Sequence, residues 1–244
     1  MTSGETRPAF YAARPGGWRD WWTLLHPPYT AWHLAYVVIG ASLAPVVSLS
    51  RLLATLLAFF LAVGVSAHAY DELQGRPLRT TIPRAALIAV CVGGLCGAIA
   101  LGAVGVGKVG IALVPFIVAG PILVVAYNAE LFNGAVHTDL GFGVCWGAFP
   151  VLTAYVAQAG NVSLAAGLVA AGATALSLAQ RALSSPARQL RRRVVDVRGV
   201  LTFGDGTETP IDRQGILGPL ERGLQMLAWT VVLVAAGLAV ARLT

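Results

Sequence analysis

Seven runs of about 20 apolar residues divide the chain: 29–49, 52–70, 85–104, 109–131, 141–159, 162–183 and 220–243. A run of that length crosses the hydrocarbon of a bilayer as one helix. The pattern therefore predicts an all-α polytopic transmembrane bundle of about seven spans. The polar connections alternate in length. Ser50 with Arg51, residues 105–108, and Gly160 with Asn161 are short enough to force spans one and two, three and four, and five and six into antiparallel hairpins. The organisation that follows is a polar and aromatic segment 1–28, a six-span core 29–183, a basic loop 184–219 and a final span 220–244.

Charge sets the orientation. With the N-terminus in the cytoplasm, the inner connections and helix ends hold 14 of the 17 basic residues and all 11 carboxylates, and only Arg51, Lys108 and Arg242 fall outside. Such an imbalance is what orients a membrane protein. The net charge of +6 is then accounted for by arginines facing anionic lipid and calls for no nucleic-acid partner. The leading segment, with Trp18, Trp21, Trp22 and Leu25 among Arg14, Arg19 and Asp20, reads as an interfacial aromatic belt. It lacks the basic-then-apolar order of a cleavable signal, so the first span is expected to direct insertion. Sixteen arginines against one lysine, with abundant alanine, point to a high-GC bacterial genome and hence to a bacterial cytoplasmic membrane.

Two inner polar stretches carry the candidate chemistry. The first runs from His68 through Asp71, Glu72, Arg76 and Arg79 to Pro83. Carboxylates beside arginines at a helix end suit a hard divalent cation and an anionic headgroup. The second, from Tyr127, Asn128 and Glu130 to His137 and Asp139, has no basic residue of its own. Polar side chains at a helix end within a bundle face a cavity, although Asp139 also suits the N-cap of span five. The two stretches share Ala-Tyr, then Asp or Asn, Glu-Leu and a closing Gly, which reads as a weak internal repeat. Pro115, Gly120 and Pro121 interrupt span four, as expected of a cavity wall. His33 and His26 read as packing and interfacial residues, Cys91, Cys96 and Cys145 as small packing residues, and no histidine spacing suggests zinc. In the long inner loop, residues 194–203, the turn Gly204-Asp205-Gly206 and residues 207–211 predict a cytoplasmic β-hairpin resting on the helices at the mouth.

The first inner loop resembles a family motif. A helix ending in a carboxylate and followed by Arg76-Pro77-Leu78 is similar to the first aspartate motif of the UbiA-type intramembrane prenyltransferases. Leu25-His26-Pro27-Pro28-Tyr29-Thr30 resembles that family's first helix, and span four ending at Tyr127 its Tyr-bearing fourth helix. The resemblance covers residues 22–193. It implies a cytoplasmic, Mg2+-dependent site that transfers a prenyl chain from a prenyl diphosphate to an aromatic or lipid acceptor. Asp71 and Glu72 would be the catalytic, metal-holding carboxylates, and Arg76, Arg79, Tyr127, Asn128, Glu130, His137 and Arg181 would bind substrate. The chain departs from the family at Gly75, where a second aspartate is expected, and at residues 179–186, which contain no carboxylate. It also has two helices fewer.

The same bundle supports a second reading, a degenerate homologue that binds a lipid or isoprenoid without turnover. A transporter ranks lower, because no ionisable residue lies in the middle third of any span. An accessory subunit docking a partner through the hairpin and arginines is a further alternative. A retinal protein is excluded, since the only lysine, Lys108, lies in an outer loop.

Overall fold

The computed structural model describes residues 7–131 and 133–244. Residues 1–6, at the head of the leading segment, and Phe132, in the second polar stretch, lie outside the described residues. Six helices are long and apolar enough to cross a membrane: α3 Leu49–Leu73, α4 Arg84–Val109, α5 Ile111–Asn128, α6 Asp139–Ala159, α7 Leu164–Arg192 and α8 Arg213–Leu243. Before them come the short α1 Trp18–Leu24 and α2 Pro27–Ser42. The only strands among the described residues, β1 Gly199–Thr202 and β2 Glu208–Ile211, lie between α7 and α8.

The first apolar run yields a shorter helix than its length predicts. α2 has 16 residues, about 24 Å at 1.5 Å per residue. It stops because Pro45 follows closely on the C-cap residue Leu43 and cannot extend the helix. α2 is nevertheless central, burying Trp32, Tyr36 and Val37 against α6 and α8. Its approach to α6 is governed by Gly40, where an added Cβ would overlap the Val151 carbonyl oxygen and stand 2.8 Å from Val151 Cα. Gly147 does the same between α6 and α7, where a Cβ would lie 2.6 Å from the Ala173 carbonyl oxygen.

Two spans contain wide π turns, Phe60–Ala67 in α3 and Val144–Ala148 in α6. Such turns insert extra residues into the helical ladder and re-aim the side chains that follow. Here they carry Val63, Ala67, Cys145 and Trp146, all of which line internal space. In α5 the expected interruption is milder. Pro115 lies in the first α-helical turn, where its missing N–H costs nothing, and only Pro121 is internal.

The loop expected at 184–219 is helical at both of its ends. α7 continues through Pro186 to Arg192, and α8 begins at Arg213. The two extensions are held together by a bidentate ion pair between Arg191 and Glu221. Gln180, Ser184, Ala187 and Arg191 recur at helical spacing and put one polar stripe of α7 toward the bundle interior. The hairpin forms as expected, with Gly199 opposite Ile211 and Thr202 opposite Glu208. It does not cover the mouth. All of β1 is exposed, as is β2 apart from half-buried Ile211, and the turn is closed locally by Thr207 donating to Asp205 through backbone N–H and hydroxyl. The mouth is instead closed by the N-terminal segment, whose carbonyls at Arg7 and Pro8 accept from Arg191 and Arg192.

At the opposite end two of the three exceptional basic residues, Arg51 and Arg242, have structural work. Arg51 donates to the carbonyls of Gln158 at 3.0 Å and Lys108 at 2.7 Å, and Arg242 to those of Ala44 and Pro45. They satisfy carbonyls that helix ends leave unpaired.

Candidate functional site

Two partly open chambers adjoin along the bundle. One, of about 570 Å³, is walled by apolar side chains of α3, α4, α5 and α6, including Phe59, Leu101, Ile117 and Phe149, and reaches Arg51 and Lys108 at the far end. The other, of about 290 Å³, lies at the arginine-rich end between the N-terminal segment, α2, α3, α5, α6 and α7. His33, Val63 and Trp146 line both, so the chambers adjoin. Gly120 and Pro121 wall the apolar chamber, as the broken pattern of span four predicts.

The polar chamber gathers Asp71, Tyr127, Asn128, His137 and Arg181 from the expected set. Tyr127 stacks on His137 with ring centroids 4.5 Å apart and accepts from Arg181 through its hydroxyl at 2.7 Å. Arg181 also pairs with Asp139 at 2.5 Å, so the N-cap role expected of that carboxylate passes to Thr138, whose hydroxyl accepts from Gly141 N–H. The paired polar stretches do meet in space. Asp71 and Asn128, equivalent in the repeat, both line this chamber, and Gly75 and Gly134 both close their turns at positive φ.

Glu72, Arg76, Arg79 and Glu130 are placed elsewhere. Glu72 is fully buried, and its carboxylate accepts from Leu78 N–H, Thr80 N–H and the Thr80 hydroxyl, each at 2.9 Å. Arg76 donates to the carbonyls of Thr80 and Ile82 at 3.2 and 2.6 Å. The Arg-Pro-Leu stretch thus folds on itself. Asp20 completes the tether, accepting from Thr81 N–H at 2.8 Å, from the Thr81 hydroxyl and from Gly16 N–H. Burial works to raise the Asp20 pKa, but these hydrogen bonds outweigh it and hold the carboxyl below its usual range. Arg79 is exposed, and exposed Glu130 stands 3.9 Å from His137.

The fit of Mg2+ follows from these positions. A diphosphate held by metal needs several carboxylate oxygens converging on it. Here Asp71 faces the chamber, Glu72 is consumed by its loop, and Glu221, the other carboxylate lining the chamber, is bound to Arg191. Among the described residues no three His, Cys, Asp or Glu side chains are grouped as a metal requires. The donor set does not fit the cation that the family resemblance implies.

What the chamber does offer is positive charge. Arg188 and Arg192 line it, and among the described residues neither has a carboxylate within 4 Å. Arg188 reaches only the hydroxyls of Ser184 and Ser185, and Arg192 only the Pro8 carbonyl. The sequence pointed to a basic loop here, and the stripe from Gln180 to Arg192 forms a wall because α7 runs unbroken through Pro186. Tyr11, His26, Tyr29 and His68 also line the chamber. His26 and His68 stack with centroids 4.2 Å apart. Tyr11 is pushed up in pKa chiefly by burial, and His26 is pushed well below its ordinary value by burial and by its cationic neighbourhood. No protein-family model, no curated protein and no solved structure matches the chain.

Proposed function

We propose that this chain is a multi-pass protein of a bacterial cytoplasmic membrane, with α2 as a short first span and the arginine-rich end in the cytoplasm. It binds an amphipathic lipid or isoprenoid that carries a phosphate headgroup. The observation that carries this reading is the junction of the two chambers. An apolar space matched to a hydrocarbon tail opens, past His33, Val63 and Trp146, into a basic space where Arg188 and Arg192 lack carboxylate partners among the described residues. Arginine binds phosphate oxygens through paired N–H donors, and exposed Arg188 and half-buried Arg192 both line the basic space.

Farnesyl diphosphate, farnesol and inorganic pyrophosphate, titrated separately into the detergent-solubilised protein, test the reading. Farnesyl diphosphate is expected to bind at least about tenfold more tightly than either fragment. Arg188→Ala and Arg192→Ala are each expected to weaken it about tenfold, or roughly 1.4 kcal/mol. Equal affinity for farnesol would sink the headgroup assignment.

Prenyl transfer is the second reading, favoured by one observation: Asp71 lines the same chamber as Arg188 and Arg192. The two readings differ in sign at that residue. If Asp71 merely adjoins a bound anion, Asp71→Asn removes a like charge and tightens farnesyl diphosphate. If Asp71 serves a Mg2+-dependent transfer, the same substitution abolishes product formation.

A further inference from the structure

The N-terminal segment does more than lie across the mouth. Tyr11 Oη sits 2.8 Å from His26 Nδ1, and the Tyr11 ring meets Tyr29 edge-on at 5.7 Å between centroids. His26 is the residue before α2 and holds a left-handed backbone, φ 45°, a conformation that non-glycine residues rarely adopt. Its other ring nitrogen, Nε2, is buried and has no hydrogen-bond partner among the described residues. A buried polar atom without a partner is uncommon and calls for an occupant that completes its hydrogen bonding. His26 lines the chamber that also holds Arg188 and Arg192.

We propose that the N-terminal segment is part of the headgroup site: Tyr11 donates its hydroxyl proton to His26 Nδ1, fixing the ring in its Nε2–H form, and that N–H binds an anionic oxygen of the ligand beside Arg188 and Arg192. The orphaned nitrogen and the two arginines without a carboxylate among the described residues are then explained by one occupant. His26 is the ligand-binding residue, and Tyr11 is a positioning residue that acts through the imidazole tautomer. This inference rests on the proposed phosphate-lipid function. The alternative, a segment that acts as a plug the ligand must displace, is told apart by loss of the Tyr11 hydroxyl, to which a plug and a wall respond oppositely.

The test uses the full chain, with farnesyl diphosphate as probe and farnesol and inorganic pyrophosphate as parallel arms. His26→Ala should weaken farnesyl diphosphate about tenfold, and His26→Gln, which keeps an N–H donor, should restore most of the loss. Tyr11→Phe should weaken it about threefold or more. In histidine-selective 15N spectra, the wild-type His26 should show the Nε2–H tautomer and shift on addition of farnesyl diphosphate but not farnesol, and Tyr11→Phe should populate the other tautomer. A response to pyrophosphate alone would identify free phosphate as a sufficient occupant of the same site. Tighter binding in Tyr11→Phe would show a plug and overturn the proposal. Unchanged binding in His26→Ala and Tyr11→Phe, while the Arg188 and Arg192 variants still weaken it, would overturn this inference alone. No binding of farnesyl diphosphate by the wild type would overturn it together with the function on which it rests.

Discussion

Replacing Glu72 by Gln separates a carboxylate that holds a loop from one that holds a ligand. The Glu72 oxygens take three hydrogen bonds at 2.9 Å from Leu78 and Thr80, and the side chain is wholly buried. Hydrogen bonds to a charged acceptor contribute about 1.5–3 kcal/mol each, and a buried donor left unpaired costs about 1–3 kcal/mol. Glutamine keeps one acceptor oxygen but turns an NH2 toward the remaining N–H donor. The net loss is therefore about 2–3 kcal/mol rather than the full value of three bonds. For a chain of this size that corresponds to a fall in melting temperature of roughly 4–12 °C, readable by tryptophan fluorescence in detergent. Thr80→Val should remove part of the same interaction, so the double variant should lose less than the two single losses added together. Farnesyl diphosphate affinity, measured well below the melting temperature, should stay within about twofold of wild type. If Glu72→Gln melted with the wild type and yet lost binding, the carboxylate would face the ligand and the loop-tether account would be wrong.

Other outcomes follow from the same geometry. Gly40→Ala should destabilise the bundle by about 1–3 kcal/mol or more, since its Cβ meets Val151 backbone that cannot yield. Gly167→Ala, with open space at the same test, should be neutral, and thermal melts of both variants check the pair. Because the folded protein holds the His26 pKa well below 6.5, the docked segment binds fewer protons there than the undocked one. Docking should be constant above about pH 6.5 and should weaken as pH falls below it. Protection of residues 8–13 from hydrogen exchange, taken relative to the intrinsic base-catalysed rate at pH 7.5 and 5.5, measures this, and weaker protection at the higher pH would contradict it. Glu221→Gln should loosen the inner ends of α7 and α8, seen as faster exchange around Arg191, because the half-buried guanidinium loses its bidentate partner.

Much of the architecture was written in the sequence because membrane spans obey a one-dimensional rule: a long apolar run has no stable alternative to a helix in lipid. That rule located the helices, the short turns that pair them and the clustering of charge at one end. The hairpin, too, was readable from β-branched residues around Asp205-Gly206, a local signal. The rule said less about where helices end. Pro45 cut α2 short, while α7 and α8 ran on past Pro186 and Pro219, held by the Arg191–Glu221 pair, which joins residues 30 positions apart.

The site shows the division most clearly. Asp71 and Glu72 are neighbours of similar chemistry, and nothing in their local sequence distinguishes them. One lines a chamber and the other is buried in a loop, because successive helical residues point about 100° apart and the π turn in α3 sets which direction each receives. Likewise, His26 looked like an interfacial residue and Tyr11 carried no signal, and only the folding of the N-terminal segment over the mouth brought them beside Arg188 and Arg192, more than 160 positions away. Sequence alone determined that polar groups would gather at one end, since charge is excluded from hydrocarbon along every span. Which of them share a cavity was decided by the tertiary structure, because convergence depends on helix rotation and on contacts between distant segments that no local pattern encodes.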